Sequence, residues 1–561
     1  MRLASAFAAG IVIACSGSAD APGPAADASD ADASVPSVDG GVQAPPDATL
    51  PDGAPNTWRS ALYPVDWTPA FTAQDGLFLH DFSYAGYHHG QGPLGTQIPA
   101  LIVDVVKDHA ADASGASDAT AAVQAAINHV QSSGGGVVLF PKGLYRFDGA
   151  LKITKSNVVL RGEGPKDSRL YFTKSAGLSF ASHITFAPVV TTDGAATLAQ
   201  DGAVRADNVT VASAGDLAPG DDIVLGHVIT GAFVADHGMT GTWSAFNGTW
   251  QPIALRKIVK VEAVPAGARV TFDVPLRSPL LVRDQASLKR AKGLMREVGV
   301  EHLGLANAVD WAAAWAASQV HVLELDDVSD GWITDVESFS PPSAPTSGSG
   351  AGSHLQSSGI MVLRAKSFTI EKTRLANAEN RGGGGNGYLF EIRQSNEILT
   401  RDSDGTNGRH NFIQNWGFGT SGCVWQRVRG SGGDNVISST LDLGLPAYAE
   451  FHHSLATANL FDQSTFDDGV QCVNRGLDST GAGHAGTENV FWNLSGKGIV
   501  RSMQWKTGYV VGTQGVSALV ELGGVESIGT EPRDWLEGQN AGATLDPPSL
   551  YDDQLKRRLG H

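Results

Sequence analysis

Residues 451–476 read FHHSLATANLFDQSTFDDGVQCVNRG, placing His452, His453, Asp467, Asp468, Asn474 and Arg475 within 26 residues. His410 and Glu488 flank the stretch, and His484 follows it. These residue types suit two ways of cutting a polysaccharide. Elimination of a uronate-containing chain needs a group to neutralise the carboxylate, a base for the adjacent proton and an acid for the leaving oxygen. Arginine meets the first need by bidentate contact, and histidine, tyrosine, lysine or arginine meets the second. Arg427, Arg429, Arg475 and one of His452 or His453 supply those types, with Asn474 alongside. Calcium could neutralise the carboxylate instead, with Asp462, Asp467 and Asp468 as oxygen ligands; no cofactor is demanded. Hydrolysis needs two carboxyl groups, for which Asp467 and Asp468 are the candidates, with His484 beside them. A non-catalytic glycan binder would instead present aromatic platforms such as Trp416, Trp425 and Trp492. There is no HExxH and no close cysteine cluster for zinc, and GGGG at 382–385 lacks the Lys-Ser/Thr of a phosphate loop.

Such residues act only if the chain brings them together, and the second half shows a repeat. HNFIQN, DNVISS, ANLFDQ and ENVFWN carry Asn411, Asn435, Asn459 and Asn489, spaced 24, 24 and 30 apart. A period in the twenties suits coils of a parallel solenoid, in which stacked asparagines form structural ladders. Neighbouring coils stand about 4.8 Å apart. A 24-residue period therefore sets His410 and Glu488 in one ionisable column, and Arg427 and Arg429 beside His452 and His453, then Asn474 and Arg475. The second column is basic, as an extended anionic ligand requires. Strand neighbours face opposite sides, so only one of His452 and His453, and one of Asp467 and Asp468, is expected to line a groove.

The first half supplies the fold. After Asp118, an expected helix N-cap, Ala122, Val123, Ala126, Ile127 and Val130 give one apolar helical face. Gly134-Gly135-Gly136 stops that helix, and VVLFP, LYRFDG, LKIT and NVVLRG follow as short strands. The run DAT, GGGVVLFPKGLY and NVVLRGEG, over about 60 residues, resembles the N-terminal region of the pectate lyase superfamily. The resemblance implies an all-β, right-handed parallel β-helix with an N-terminal cap helix. The expected function is a cell-envelope carbohydrate-active enzyme on an anionic, uronate-containing polysaccharide, with a polysaccharide lyase preferred to a glycoside hydrolase on the basic column and a non-catalytic glycan-binding surface protein as the further alternative. Asp467-Asp468 and His484 bear a loose similarity to polygalacturonase motifs, although that family's Asn-Thr-Asp and Arg-Ile-Lys are absent. Residues 196–280 alternate differently and are expected to form a small inserted β module. Its loop AFVADHGMTGTWSAFNGTWQP either roofs a groove or packs Trp243 and Trp250 into a small core.

The remaining expectations concern context. The chain has 561 residues, 68 glycines and a formal charge of −18, which argues against nucleic acid as a partner. Arg2, a short apolar run and Val12-Ile13-Ala14-Cys15 resemble a bacterial lipoprotein signal, with Cys15 the lipidated residue. Residues 16–56, poor in aromatics and rich in Ala, Asp, Pro, Gly and Ser, read as a tether. The expected location is the outer membrane, through the lipid anchor only, or secretion if the signal is an ordinary one. A monomer is expected. The expected boundaries are 1–15, 16–56, 57–195, 196–280, 281–525 and 526–561, the last a cap or tail. Cys423 and Cys472 read as buried thiols.

Overall fold

The chain winds in successive coils, each contributing strands to parallel ladders stacked on one another. This computed structural model describes residues 57–174, 177–437, 444–520 and 534–560. The signal segment with Cys15, the 16–56 tether and residues 526–533 lie outside that range. A first ladder runs from Ile102–Asp104 through Met295–Ala306, Asn396–Arg401 and Val490–Ser495 to Trp535–Glu537. A second joins Gly143–Phe147 and Ser168–Phe172, and further along Arg374–Ala376, Asp404–Thr406, Arg429–Ser431 and Thr465–Phe466. A third passes from Leu151–Ile153 through His321–Asp326, Tyr388–Arg393, His410–Gln414, Ala449–Phe451 and Val470–Cys472 to Ser517–Leu519. All of these pairings are parallel, and parallel crossovers are right-handed almost without exception. The expected right-handed β-helix is what forms.

Its interior is continuous. Phe390 stacks on Phe412 at 4.8 Å, and Trp425, Phe461 and Phe491 stack at 5.8 Å per step. The helix Thr120–Ser132 buries Val123, Ala126, Ile127 and Val130 in that same core. Asp118 sits one residue outside its cap: Ala119 is the N-cap, and Asp118 Oδ1 accepts from the Thr120 amide (2.9 Å) and hydroxyl. Cys423 and Cys472 are free and buried, and burial pushes both thiols up.

The 24-residue register does not survive. Val424 pairs with Leu460, 36 residues on, then Leu460 with Val490 at 30 and Val490 with Tyr509 at 19. A solenoid fixes only the strands, and its turns absorb any excess length. The asparagine ladder is real for two members. Asn459 donates to Asn489 Oδ1 (2.9 Å), and Asn489 donates to Gln504 Oε1 (2.9 Å). Asn411 instead lies in the third ladder, and Asn435 in a separate antiparallel pair.

Residues 191–292 form a six-stranded antiparallel sheet with its own core around Val211, Ile223, Leu225 and Val270. Trp243 is wholly buried between this module and the β-helix, donating to the Ala482 carbonyl (2.9 Å), so it packs rather than roofs a groove. Ion pairs pin the module down. Arg256 and Arg277 both reach Glu397 of the first ladder, at 3.2 and 3.3 Å, and Glu397 is wholly buried.

The outer face of the first ladder is covered by both ends of the described chain. Leu62, Tyr63, Trp67, Leu79 and Phe82 pack with Leu550 and Tyr551 over Leu399, Val424, Leu460 and Val490. Trp58 bridges to Leu545 and donates to the Ala541 carbonyl (2.8 Å), and Arg59 pairs with Asp546 (2.9 Å). Among the described residues no helix is long and apolar enough to cross a membrane.

Candidate active site

The third ladder carries the chemistry. One row across its coils reads Glu391, Ile413, Glu450, Gln471 and Arg501. At Glu450 the chain turns so that three groups converge. Glu450 Oε1 lies against His452 Nδ1 and 3.3 Å from His410 Nε2, while Gln471 Nε2 donates to Oε2. Arg475 Nη1 lies 2.8 Å from His452 Nδ1 and donates to the His452 carbonyl (3.1 Å). The Tyr388 ring closes the group, 5.4 Å from His410 and 6.0 Å from His452. His410, His452, Glu450 and Tyr388 are buried, beneath half-buried Arg409, Arg475 and Gln471.

Burial sets the protonation states. It pushes His410 down to about 3 and lowers His452, although Glu450 pulls both the other way. Burial alone would raise Glu450; His410, His452 and Arg475 override it and hold the carboxyl well below its ordinary range. Tyr388 is pushed up to about 12 by burial. At neutral pH the cluster therefore holds an anionic Glu450, two neutral imidazoles and a protonated phenol. The His410 tautomer follows from its neighbour: the Tyr448 carbonyl (2.5 Å) accepts from Nδ1–H, so Nε2 carries the lone pair. That Nε2 is buried and makes no hydrogen bond.

Two coil steps away, Glu391 is held by His321 (2.8 Å), Gln319 (2.8 Å), Asn415 (2.8 Å) and Arg393 (2.5 Å). Burial would raise this carboxyl, but Arg393 and His321 bring it down to about 2. Among the described residues, Arg393 stands at Glu391, Arg409 beside His410 and Arg475 beside Glu450, so guanidiniums line this face.

His410, Glu450 and His452 each bring one donor atom within 4.8 Å of the others, the number and kind that hold a divalent cation. The surrounding charge does not fit one. Arg475 Nη1, itself a cation, stands 2.8 Å from His452 Nδ1, one of the three donor atoms.

Other candidates fall elsewhere. His453 donates to or accepts from no acid; its Nε2 meets the Ser479 carbonyl (2.7 Å) and its ring stacks on Trp416 at 4.2 Å. Arg427 and Arg429 are not beside the histidines. They belong to the first and second ladders' edge, where Arg427 pairs with Asp402 (2.7 Å) and Asp552 (3.1 Å), and Arg429 stands between Asp404 and Thr465. The basic column exists only in the contact of Arg475 with His452. Asn474 Oδ1 accepts from the Gly476 amide (2.9 Å), and its backbone bridges to His484.

The paired aspartates do not act together. Asp467 is exposed, 3.9 Å from Lys497, whereas Asp468 is half-buried and accepts from Asn411 (3.0 Å), burial raising its carboxyl. His484 is remote from both in bonding, with Nε2 on the His237 carbonyl (3.1 Å). Glu488 pairs with His80 (2.7 Å) rather than in a column with His410. Trp492 and Trp425 are wholly buried and cannot be platforms; Trp492 Nε1 donates to the Pro547 carbonyl (3.1 Å).

Asp462 is no calcium ligand. It is buried at the start of the helix Leu550–Leu559, accepting from Ser549 Oγ (2.5 Å) and from the Leu550 and Tyr551 amides (3.1 and 3.2 Å). Asp462→Ala is accordingly expected to cost about 1–2 kcal/mol, the value of a lost cap. Urea denaturation with and without calcium checks this: a calcium-dependent difference between wild type and variant would restore Asp462 as a ligand.

Glu450, Tyr388, Arg409 and Glu391 are the residues sequence reading missed. Each sits in or beside an apolar strand, YLFEIR, HNFIQ or AYAEF, where a charged or phenolic side chain is out of place. That anomaly was the available signal.

Residues 102–210 match the family model described as rhamnogalacturonase A/epimerase, pectate lyase-like. Over 66 residues the chain is 52% identical to the mannuronan C5-epimerase AlgE3 of Azotobacter vinelandii, a match covering 10% of this chain and 4% of that protein. Among solved structures, ORF18 of Geobacillus virus E2 aligns with a TM-score of 0.40 at 13% identity, over 78% of this chain and 62% of that one. An iota-carrageenase complexed to iota-carrageenan fragments aligns with a TM-score of 0.32 at 14% identity, over 73% and 58%. The family-model match bears out the resemblance to the pectate lyase superfamily.

Proposed function

We propose that the protein acts on a uronate-containing polysaccharide by removing the proton beside the uronate carboxylate, at the face carrying His410, Glu450, His452 and Arg475. The observation that carries this reading is the neutral His410 with an unspent Nε2 lone pair, beside a protonated phenol and two guanidiniums. Arg475 and Arg409 hold the carboxylate, which stabilises the charge that develops when the C5–H bond breaks. His410 Nε2 takes that proton. An anionic substrate raises the imidazole's affinity for it, offsetting the effect of burial. The electron pair forms the C4–C5 double bond as the C4–O bond breaks, and Tyr388 protonates the departing oxygen. The result is β-elimination, the work of a polysaccharide lyase.

The same proton removal followed by return of a proton to the opposite face of C5 would invert the uronate without cutting the chain. The similarity to a C5-epimerase favours carrying this second outcome. Hydrolysis loses support because both carboxylates on this face are held ionised, and neither is a protonated acid near neutral pH.

The test is incubation with uronate polymers in D2O. Absorbance of the unsaturated product, rising with reducing ends, is the expected result. Deuterium at C5 without cleavage selects the epimerase outcome. Reducing ends with neither signal would mean hydrolysis and would overturn proton abstraction. The extracytoplasmic setting and lipid anchor belong to the same proposal, and metabolic labelling with a palmitate analogue, lost in Cys15→Ser, is the check on them.

A further inference from the structure

A cavity of about 380 Å³ lies between the inserted module and the β-helix, and none of the residues of the proposed reaction lines it. It falls in the size range of small-ligand sites. Arg277, Phe233 and His237 line it from the module; Phe418, Glu488 and Trp505 line it from the helix.

One donor in it is unspent. Arg277 is 3% exposed and its Nε reaches Glu397 at 3.3 Å, yet its Nη2 is buried with no hydrogen-bond partner. A guanidinium N–H left that way has lost its hydration without a replacement partner. Arg256, which shares Glu397, spends its nitrogens on the Val274, Leu255 and Pro275 carbonyls. Several other polar groups around the cavity are also committed: Asp284 to Thr230, Thr457 to the Leu455 carbonyl and Thr487 to the Trp505 carbonyl.

The walls define what would accept that donor. His237 stacks on Trp505 at 3.8 Å and Phe233 packs against Phe418 at 5.8 Å, an aromatic surface with Trp505 half-buried at its edge. Formal charges cancel: Arg277, Arg283 and Lys506 face Asp236, Asp284 and Glu488. An anion gains nothing net from such a lining. A neutral ring whose apolar CH face displaces Lys506 Nζ, 4.4 Å from the Trp505 centroid, with an oxygen that accepts and a hydroxyl that donates, satisfies Trp505, Arg277 and Glu488 together.

We infer that this cavity is a binding site for a neutral sugar residue, separate from the uronate-handling face. The inference rests on the reading of the protein as glycan-active, and it implies a substrate that mixes neutral sugars with uronates.

The experiment measures tryptophan fluorescence and calorimetric heat on adding methyl glycosides of neutral hexoses, with the matching uronic acids as controls. Arg277→Met removes the unspent donor while leaving Glu397 paired with Arg256; Trp505→Ala, at the half-exposed edge, removes the stacking face. Saturable binding of a neutral glycoside is expected, weakened about tenfold or more by Arg277→Met, the worth of one charged hydrogen bond, and weakened also by Trp505→Ala. Absence of binding, tighter binding of the uronic acid, or affinity indifferent to both variants overturns the site. If neutral-sugar binding is seen while uronate polymers give neither chromophore nor deuterium, the proposed reaction falls and this site stands. If the reaction is seen without sugar binding, only this site falls.

Discussion

His410→Asn is expected to lower turnover on a uronate polymer by about 10²–10⁴-fold, the usual contribution of a positioned general base. Asparagine keeps a donor for the Tyr448 carbonyl but offers no basic lone pair where Nε2 stood. Tyr388→Phe should lower cleavage over a similar range for a different reason, loss of the acid. The two variants are separable by isotope. Without the base, exchange of the C5 proton with solvent deuterium stops. Without the acid it continues while chain scission slows. Arg475→Gln should reduce both by removing the countercharge. A His410→Asn protein within a few-fold of wild type, with C5 exchange intact, would move the base to His452 or out of this cluster.

Glu397→Gln is expected to destabilise the protein by about 3–5 kcal/mol, the cost of leaving buried charge without its partner. Glutamine would strand two guanidiniums, Arg256 and Arg277, in a site that is wholly dry at Glu397 and Arg256. Domains are stable by only about 5–15 kcal/mol, so this change is a large share of the whole. It acts at the junction of the inserted module and the first ladder, where Asn396 Oδ1 also accepts from the Leu255 amide (2.7 Å). Urea unfolding followed by tryptophan fluorescence measures it. A loss below about 1 kcal/mol would mean that water or rearrangement compensates the two cations, and that the apolar contacts of Trp243 and Phe418 carry the junction instead.

How far the sequence alone reached is clearest at particular residues. The fold was legible because the helix face of Val123 to Val130 and the strands after Gly136 are local patterns, and local patterns survive without knowledge of register. Position within the solenoid was not legible. The Asn411–Asn435–Asn459 spacing imitated a constant coil, but the true steps of 36, 30 and 19 residues depend on turns whose length no strand pattern constrains. Every column built on the 24-residue period failed with it, including Arg427 and Arg429 beside His452. The contact of His452 with Arg475 survived because both lie in adjacent coils joined by a short connection. Glu450 was overlooked because its strand looks like core; that same apolar setting is what keeps its neighbours His410 and His452 neutral.

The joined ends give the molecule an unusual order of assembly. A stack of coils is ordinarily a linear array in which each unit needs only its neighbours and fraying begins at either end. Here Trp58 hydrogen-bonds to a residue 483 positions later. The segment from Leu62 to Phe82 packs on Leu399, Val424, Leu460 and Val490, which are made much later. During synthesis the outer face of the first ladder therefore stays bare, and Leu62, Tyr63 and Trp67 wait without a surface to cover. The helix Leu550–Leu559 and the strap around Tyr63 dock together, as a clasp that shuts only once Tyr551 has been made. Deleting residues 57–85 should thus be felt at the C-terminal coils, which would exchange their amides fastest, and the N-terminal coils would hold.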